Sequence, residues 1–210
     1  MKNLAVFVSG SGTNLRNIAE KIKTGELKNC KISLVVSSKE KVGALGHAKK
    51  YGLKTFISHK RTPAEKLYFE TEILKQLIEN KIDYIILAGY MRILSKTFIQ
   101  QLKERIINIH PAFLPNFPGA HAIQDAWRAN ILETGVTVHF VDEGVDTGPI
   151  ILQKKVRRTS SDTLESLEQK IHEVEYALYP RAIQLLVDDR LSIVKNKVLL
   201  DGKPLTTLVQ

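Results

Sequence analysis

Only one cysteine, Cys30, stands among the 210 residues. No disulfide can form within the chain, no cysteine-based metal site is suggested, and a reducing interior is the expected setting. Long apolar runs are missing as well. Met1-Lys2-Asn3 leads into a short apolar stretch, Leu4 to Val8, which is too brief for a signal segment or a membrane span. The expected location is therefore the cytoplasm, with no membrane partner. Acidic residues are scarcer than basic ones, 22 against 31, which leaves a net charge of +9. The lysines are scattered (Lys21, Lys23, Lys28, Lys31, Lys39, Lys41, Lys49, Lys50) and not gathered into an aromatic-interleaved patch. This pattern fits a solvated basic surface that can draw in anionic substrates better than a nucleic-acid interface. Repeats, low-complexity tracts and linkers are absent too.

What is present alternates. Apolar runs at Leu4–Val8, Ile32–Val36, Lys54–Ile57, Tyr84–Leu87 and Ile106–Ile109 read as strands. Between them lie helical patterns from about Asn14 to Lys23, Gly43 to Tyr51, Ala64 to Asn80, and a short one after Ser95 to about Lys103. Repeated strand–helix alternation implies parallel pairing and an α/β fold, a mostly parallel twisted sheet with helices on both faces. A helix from His121 to about Leu132 follows. Val136–Val141 and Ile150–Val156 then read as an antiparallel hairpin that ends the parallel pattern, with His139 a structural residue within its first strand. A long helix from Thr163 to near Val187 carries an apolar stripe and is kinked or broken at Pro180. Leu191–Val194 and Val198–Leu200 close the chain as a hairpin. On the Ala64–Asn80 helix, Leu67, Ile73, Leu74, Leu77 and Ile78 are the expected core, with Tyr68 and Phe69 packed beside them; Trp127 is a core candidate on the later helix.

Two stretches carry chemistry. Ser9-Gly10-Ser11-Gly12-Thr13-Asn14 follows a strand and opens a helix, the setting in which backbone N–H groups hold a phosphate. Leu15 stands where a dinucleotide fingerprint has its third glycine, and no P-loop lysine follows, so a compact monophosphate fits better. A glycine turn that binds nothing fits the local sequence equally. The second stretch is Asn108-Ile109-His110-Pro111. Residues two apart on a strand point to one face, and Pro111 ends the strand, so an amide and an imidazole reach a strand end together. Both can donate to a carbonyl oxygen that gains negative charge during acyl transfer to an amine. Asp146, between Gly144 and Gly148, is the carboxylate able to return to the imidazole, raise its pKa and fix its tautomer. An Asn and a His that merely satisfy loop backbone groups remain the alternative. No serine or thiol here suggests a covalent intermediate. His121 is a second candidate at a helix start. Lys60 or Arg61 is a candidate phosphate contact, with a solvated charge as the rival reading.

Asn108-Ile109-His110-Pro111-Ala112-Phe113-Leu114-Pro115 closely resembles the signature of the folate-dependent formyltransferases. His139-Phe140-Val141-Asp142-Glu143-Gly144-Val145-Asp146-Thr147-Gly148-Pro149-Ile150 is similar to that family's second signature. Ser9 to Leu15 resembles the branch whose acceptor is the amine of 5′-phosphoribosylglycinamide. The resemblance runs from Leu4 to about Gly202, with all three motifs in the family's order. It implies one formyltransferase domain, 1–210, with a phosphate-binding lobe (1–105) and a folate-binding, catalytic lobe (106–210). It implies formyl transfer from 10-formyltetrahydrofolate as cosubstrate, in purine biosynthesis, with no metal. The substrate's neutral amine would attack while Asn108, a protonated His110 and Asp146 stabilise the tetrahedral intermediate. Gly12, Thr13, Asn14, His172 and Glu175 would bind the phosphorylated substrate. Met91, Arg92, Ile93, Leu94, Asn108, Val141, Asp142, Glu143, Gly144 and Asp146 would bind the folate. Without the resemblance, His172 and Glu175 read as surface positions, and Met91, Ile93 and Leu94 as core. The expected partners are small molecules, with no nucleic acid, and the expected state is a monomer or homodimer. Two rivals stay open: a sister formyltransferase acting on charged tRNA or an amino sugar nucleotide, and a non-enzymatic nucleotide-binding module.

Overall fold

The computed structural model describes residues 1–58 and 63–205, with the side chains of Pro63 and Ala64 left aside. Lys60 and Arg61 lie outside the described residues. Two compact units divide the chain, Met1–Ile107 and Asn108–Gln210.

The first unit is built from β1 (Lys2–Val8), α1 (Thr13–Lys23), β2 (Cys30–Ser37), α2 (Gly43–Lys50), β3 (Thr55–Ile57), α3 (Pro63–Glu79), β4 (Tyr84–Leu87) and α4 (Lys96–Gln101). β1 pairs in parallel with both β2 and β4, and β2 with β3. Leu4 to Val8 are all fully buried, as a central parallel strand covered on both faces must be. Ser95 caps α4, its Oγ accepting from the backbone N–H of Phe98 at 3.1 Å.

α3 departs from the expected packing. Leu67, Tyr68 and Ile78 are more than half exposed, while Ile73 and Leu77 are buried. The buried face reads Glu70, Ile73, Leu77, an i, i+3, i+7 line that includes a carboxylate. Ile73 and Leu77 are core as expected, while Leu67 and Ile78 lie on the exposed side, because a buried glutamate breaks the apolar periodicity.

β5 (Ile106–His110) spans the division between the units. The second unit continues with α5 (Ala122–Arg128), β6 (Glu133–Phe140), β7 (Ile150–Arg157), α6 (Leu164–Val187), β8 (Leu191–Val194), β9 (Lys197–Leu200) and β10 (Lys203–Pro204). β6 and β7 form the expected antiparallel hairpin. The seven-stranded sheet runs β3-β2-β1-β4-β5-β6-β7, and β10-β9-β8 form a separate small antiparallel sheet.

α5 stops earlier than its pattern suggested. Asn130 adopts a left-handed backbone at φ 51°, which ends the helix after Arg128. Trp127 is half-buried, and the Arg158 guanidinium stacks 3.7 Å from its ring centre. α6 is not broken at Pro180; it runs as one 24-residue helix. Proline removes one backbone donor. Leu178, Tyr179, Ala182, Ile183 and Leu186 are buried on either side of it, and that packing holds the helix through the gap. A capping box starts it, with Thr163 accepting from Ser166 N–H at 3.2 Å and Ser166 Oγ accepting from Thr163 N–H at 3.0 Å.

Candidate active site

Asp146 is the hub of the second unit's polar cluster. It sits in the loop between β6 and β7 with a left-handed backbone, φ 54°. The loop is closed by Asp142, whose Oδ1 accepts from Gly144 N–H at 3.1 Å and from Thr147 Oγ1 at 2.7 Å. A Cβ on Gly144 would run into Thr147, and one on Gly148 into the Phe140 carbonyl. Both glycines are therefore required for the loop to fold back. Val141 and Asp142 are partly buried, and Glu143 and Gly144 are exposed.

Four groups meet the Asp146 carboxylate. Gly119 N–H donates to Oδ2 at 2.8 Å, and the Asn108 amide donates to Oδ1 at 3.4 Å. His110 Nδ1 lies 3.4 Å from Oδ2, and His139 Nε2 lies 3.5 Å from Oδ1. Asn108, His110 and Asp146, nearly 40 positions apart in sequence, are thus brought together as expected. Burial alone would raise the Asp146 pKa. The contacts with His139, Gly119 and His110 outweigh it and hold the group down to about 2, so it is a carboxylate at neutral pH.

His110 is buried, and its Nε2–H donates to the Phe117 carbonyl at 2.8 Å. Its pKa moves opposite to the expectation. Burial lowers it, and the pull of Asp146 and of the Phe117 carbonyl does not overcome that. The resting ring is neutral, carrying its proton on Nε2 and turning a bare Nδ1 toward Asp146. A neutral imidazole with that N–H remains a competent donor.

His139 was expected to be structural, yet it belongs to the cluster. Its Nδ1–H donates to the Phe140 carbonyl at 2.8 Å, which leaves Nε2 to accept from the Asn108 amide at 3.3 Å. Only strand pairing places it beside Asn108; in the sequence it was marked solely as the first residue of the second signature. The Gly119 amide and Phe117 carbonyl were unmarked.

A buried network fixes the loop after His110. Thr137 Oγ1 donates to the Ala112 carbonyl at 2.8 Å and accepts from Leu114 N–H at 3.1 Å. Gln153 Nε2 donates to the Leu114 carbonyl at 2.9 Å and to Thr137 Oγ1 at 3.0 Å. On α6, the His172 ring donates from Nδ1 to Glu175 Oε2 at 2.9 Å. Glu175 is buried, contrary to a reading from the bare sequence. That hydrogen bond to Glu175 raises the His172 pKa, against the effect of burial. His121 stands at the start of α5, exposed and without a side-chain cap bond.

In the first unit, Gly12 heads α1 with φ 76°, and a Cβ there would run into Ala44. No side chain caps this helix and no acid lies in its first turn. The amides of Thr13 and Asn14 thus stand at the positive end of α1. Met91, Arg92, Ile93 and Leu94 follow β4; Met91 and Ile93 are largely exposed, 64% and 75%, and Leu94 is buried. Met91 and Ile93 are therefore not core residues.

Residues 2–183 match the formyl transferase family. The chain belongs to that family. It is 41% identical over 187 residues to the phosphoribosylglycinamide formyltransferase of Bacillus subtilis, an alignment covering 89% of this chain and 95% of the relative. It is 42% identical over 207 residues to a trifunctional purine biosynthetic protein of Drosophila pseudoobscura pseudoobscura, covering 96% of this chain and 15% of that much longer protein. A solved phosphoribosylglycinamide formyltransferase from Coxiella burnetii superposes with a TM-score of 0.90 at 35% identity, covering 98% of this chain and 96% of the other. Among the described residues, no helix of this family member is long and apolar enough to cross a membrane. No group of three or more His, Cys, Asp or Glu among them is placed to hold a metal ion.

Proposed function

We propose that this formyl transferase moves the formyl group of 10-formyltetrahydrofolate to the amine of 5′-phosphoribosylglycinamide, a step of purine biosynthesis. The observation that carries the chemistry is the convergence of Asn108, His110 and His139 on one ionised carboxylate, Asp146. The observation that favours this acceptor is the high identity to enzymes of that name over nearly the full chain.

The neutral amine attacks the formyl carbon, and the carbonyl oxygen takes up the electron pair. In the resting chain His110 Nε2–H donates to a neutral peptide carbonyl, and the Asn108 amide makes two long bonds. A developing oxyanion is a stronger acceptor than the Phe117 carbonyl or the His139 ring, and the Asn108 bond to the Asp146 carboxylate is long at 3.4 Å, so both donors can turn to it. Once the amine has attacked, its ammonium proton can pass to the bare His110 Nδ1, where the Asp146 carboxylate at 3.4 Å favours the resulting positive charge beside the oxyanion. Asp146 also orders a water that relays this proton to the folate nitrogen as the carbon–nitrogen bond breaks, which returns the ring to its neutral form. Collapse of the oxyanion then gives the formylated amine and tetrahydrofolate. Much of the rate arises from holding the two reactants together.

The phosphate is assigned to the Gly12, Thr13 and Asn14 amides, with His172 near it and the buried Glu175 carboxylate on the substrate amine. The folate is assigned to Met91–Leu94 and to Val141–Gly144. The cytoplasm is the proposed location, and no metal enters the scheme. A spectrophotometric assay of folate product tests the reading. Turnover must require phosphoribosylglycinamide and collapse in His110→Ala. Turnover with another amine instead would replace the acceptor. Absence of folate binding would overturn the reading altogether.

A further inference from the structure

The segment that follows β4 presents Met91 and Ile93 to solvent, yet it is tied down from beneath by two backbone amides and one side chain. Met91 N–H donates to Ser9 Oγ at 2.8 Å. Ser9 Oγ and Ser38 Oγ share a hydrogen bond of 2.6 Å, and the Arg92 guanidinium donates to the Ser38 carbonyl at 2.9 Å. Ser95 N–H donates to Glu70 Oε1 at 2.8 Å. Ser9, Ser38 and Glu70 are all more than nine-tenths buried.

Glu70 is the costly member of this set. Among the described residues its second oxygen, Oε2, is buried with no hydrogen-bond partner, beside a pocket lined in part by Tyr90, Arg92, Ile93 and Leu94. Lys66 Nζ stands 4.0 Å from the other oxygen, too far for a hydrogen bond. A buried carboxylate half satisfied in this way destabilises the fold relative to an apolar residue of similar size. α3 would pack more simply with leucine on its 70, 73, 77 face. What the carboxylate does achieve is to fix Ser95, while the serine pair fixes Met91. The residues between these two points are therefore set in one position before any ligand arrives. Rigid support beneath an exposed apolar segment is what a preorganised ligand contact needs.

We propose that Glu70 and the Ser9–Ser38 hydroxyl pair are positioning residues for the folate, acting through residues 91–94. This rests on the assignment of that segment to the folate under the proposed function. None of the three needs to touch the ligand.

The test compares Glu70→Ala and Glu70→Gln with the unaltered chain, measuring tetrahydrofolate binding by calorimetry and both KM values by the product assay. Glu70→Ala is expected to weaken tetrahydrofolate binding and raise the folate KM about tenfold, leaving the KM of the phosphorylated amine within about twofold. Glutamine keeps an acceptor for Ser95, so Glu70→Gln should restore binding to within about threefold. If the unaltered chain binds tetrahydrofolate and Glu70→Ala binds it equally well, the positioning role is wrong and the folate assignment stands. If Glu70→Ala raises both KM values alike, the residue merely supports the fold. If the unaltered chain binds no tetrahydrofolate, both readings fall. Should Glu70→Ala not fold, Ser38→Ala carries the test from the other tie, with a severalfold loss of folate affinity expected and none of amine affinity.

Discussion

Replacing Asp146 by asparagine removes one negative charge and almost nothing else. The asparagine oxygen can still accept from Gly119 N–H, and its size keeps the loop closed over Gly144 and Gly148. What disappears is the attraction between the carboxylate and positive charge on His110. At the 3.4 Å separation that attraction is about 5 kcal/mol at an effective dielectric of about 20. The site is partly solvated, so about 3–4 kcal/mol is the better figure for the transition state, or roughly 10²–10³ in turnover. Both KM values should change little, because the lost interaction grows only as charge develops. Stability gives a second readout. Asp146 is held at about 2 against an ordinary 3.8, which corresponds to about 2 kcal/mol of stability. A depressed carboxylate contributes fully above its unfolded pKa and loses its contribution as pH falls through the folded value. The gap in urea stability between the two proteins should therefore be widest above about pH 4 and close as pH approaches about 2. Steady-state kinetics at neutral pH and urea melts from pH 2 to 7 would measure both. Unchanged turnover would refute the assigned role, and a pH-independent gap would show that the variant acts through packing.

His139→Ala should lower turnover about tenfold to a hundredfold, through loss of the acceptor that holds the Asn108 amide, with His139→Gln intermediate; equal rates in all three proteins would remove His139 from the site. Gly148→Ala should reduce activity at least a hundredfold, because a Cβ would run into the Phe140 carbonyl and displace the Asp146 loop, as kinetics on the folded variant would show. The His172 pKa is raised by Glu175, so that pair stabilises the fold fully below the unfolded histidine pKa and less as pH rises through the folded one. Thermal melts of His172→Gln and the unaltered chain should accordingly converge on the alkaline side. Thr163→Ala should cost about 1 kcal/mol in urea unfolding by removing half of the α6 capping box.

Most strands could be read from the linear order because parallel strands buried on both faces are continuous apolar runs, as in Leu4–Val8 and Tyr84–Leu87. The helix starts at Ser95 and Thr163 were legible as well, and both residues cap their helices in the structure. The departures each have a cause. Glu70 replaced an apolar residue on the buried line of α3, so periodicity alone favoured Leu67 and Ile78. Asn130 ended α5 by a backbone conformation that its residue type merely permits. Pro180 sat within α6 because flanking burial offset a local rule. At the site, Asn108 and His110 were legible because a period of two is local. Asp146 was marked by its glycines and its place in a motif. His139 and the Gly119 amide join them only through pairing and loop return, which no local pattern encodes. The neutral state of His110 was hidden for a related reason: burial is a property of the whole fold, and it opposes the nearby carboxylate.

The seven-stranded sheet ends on β3 and β7. The first offers three residues, and the second carries Lys155 and Arg157 exposed near its end. Short or cationic edges are poor templates for another chain's backbone. Growth through either edge of the seven-stranded sheet is thus disfavoured. For a laboratory evolving the enzyme, the same edges act as a margin of colloidal safety. Variants weakened at the catalytic loop should fail by losing their fold rather than by polymerising through the sheet, so soluble yield would track stability.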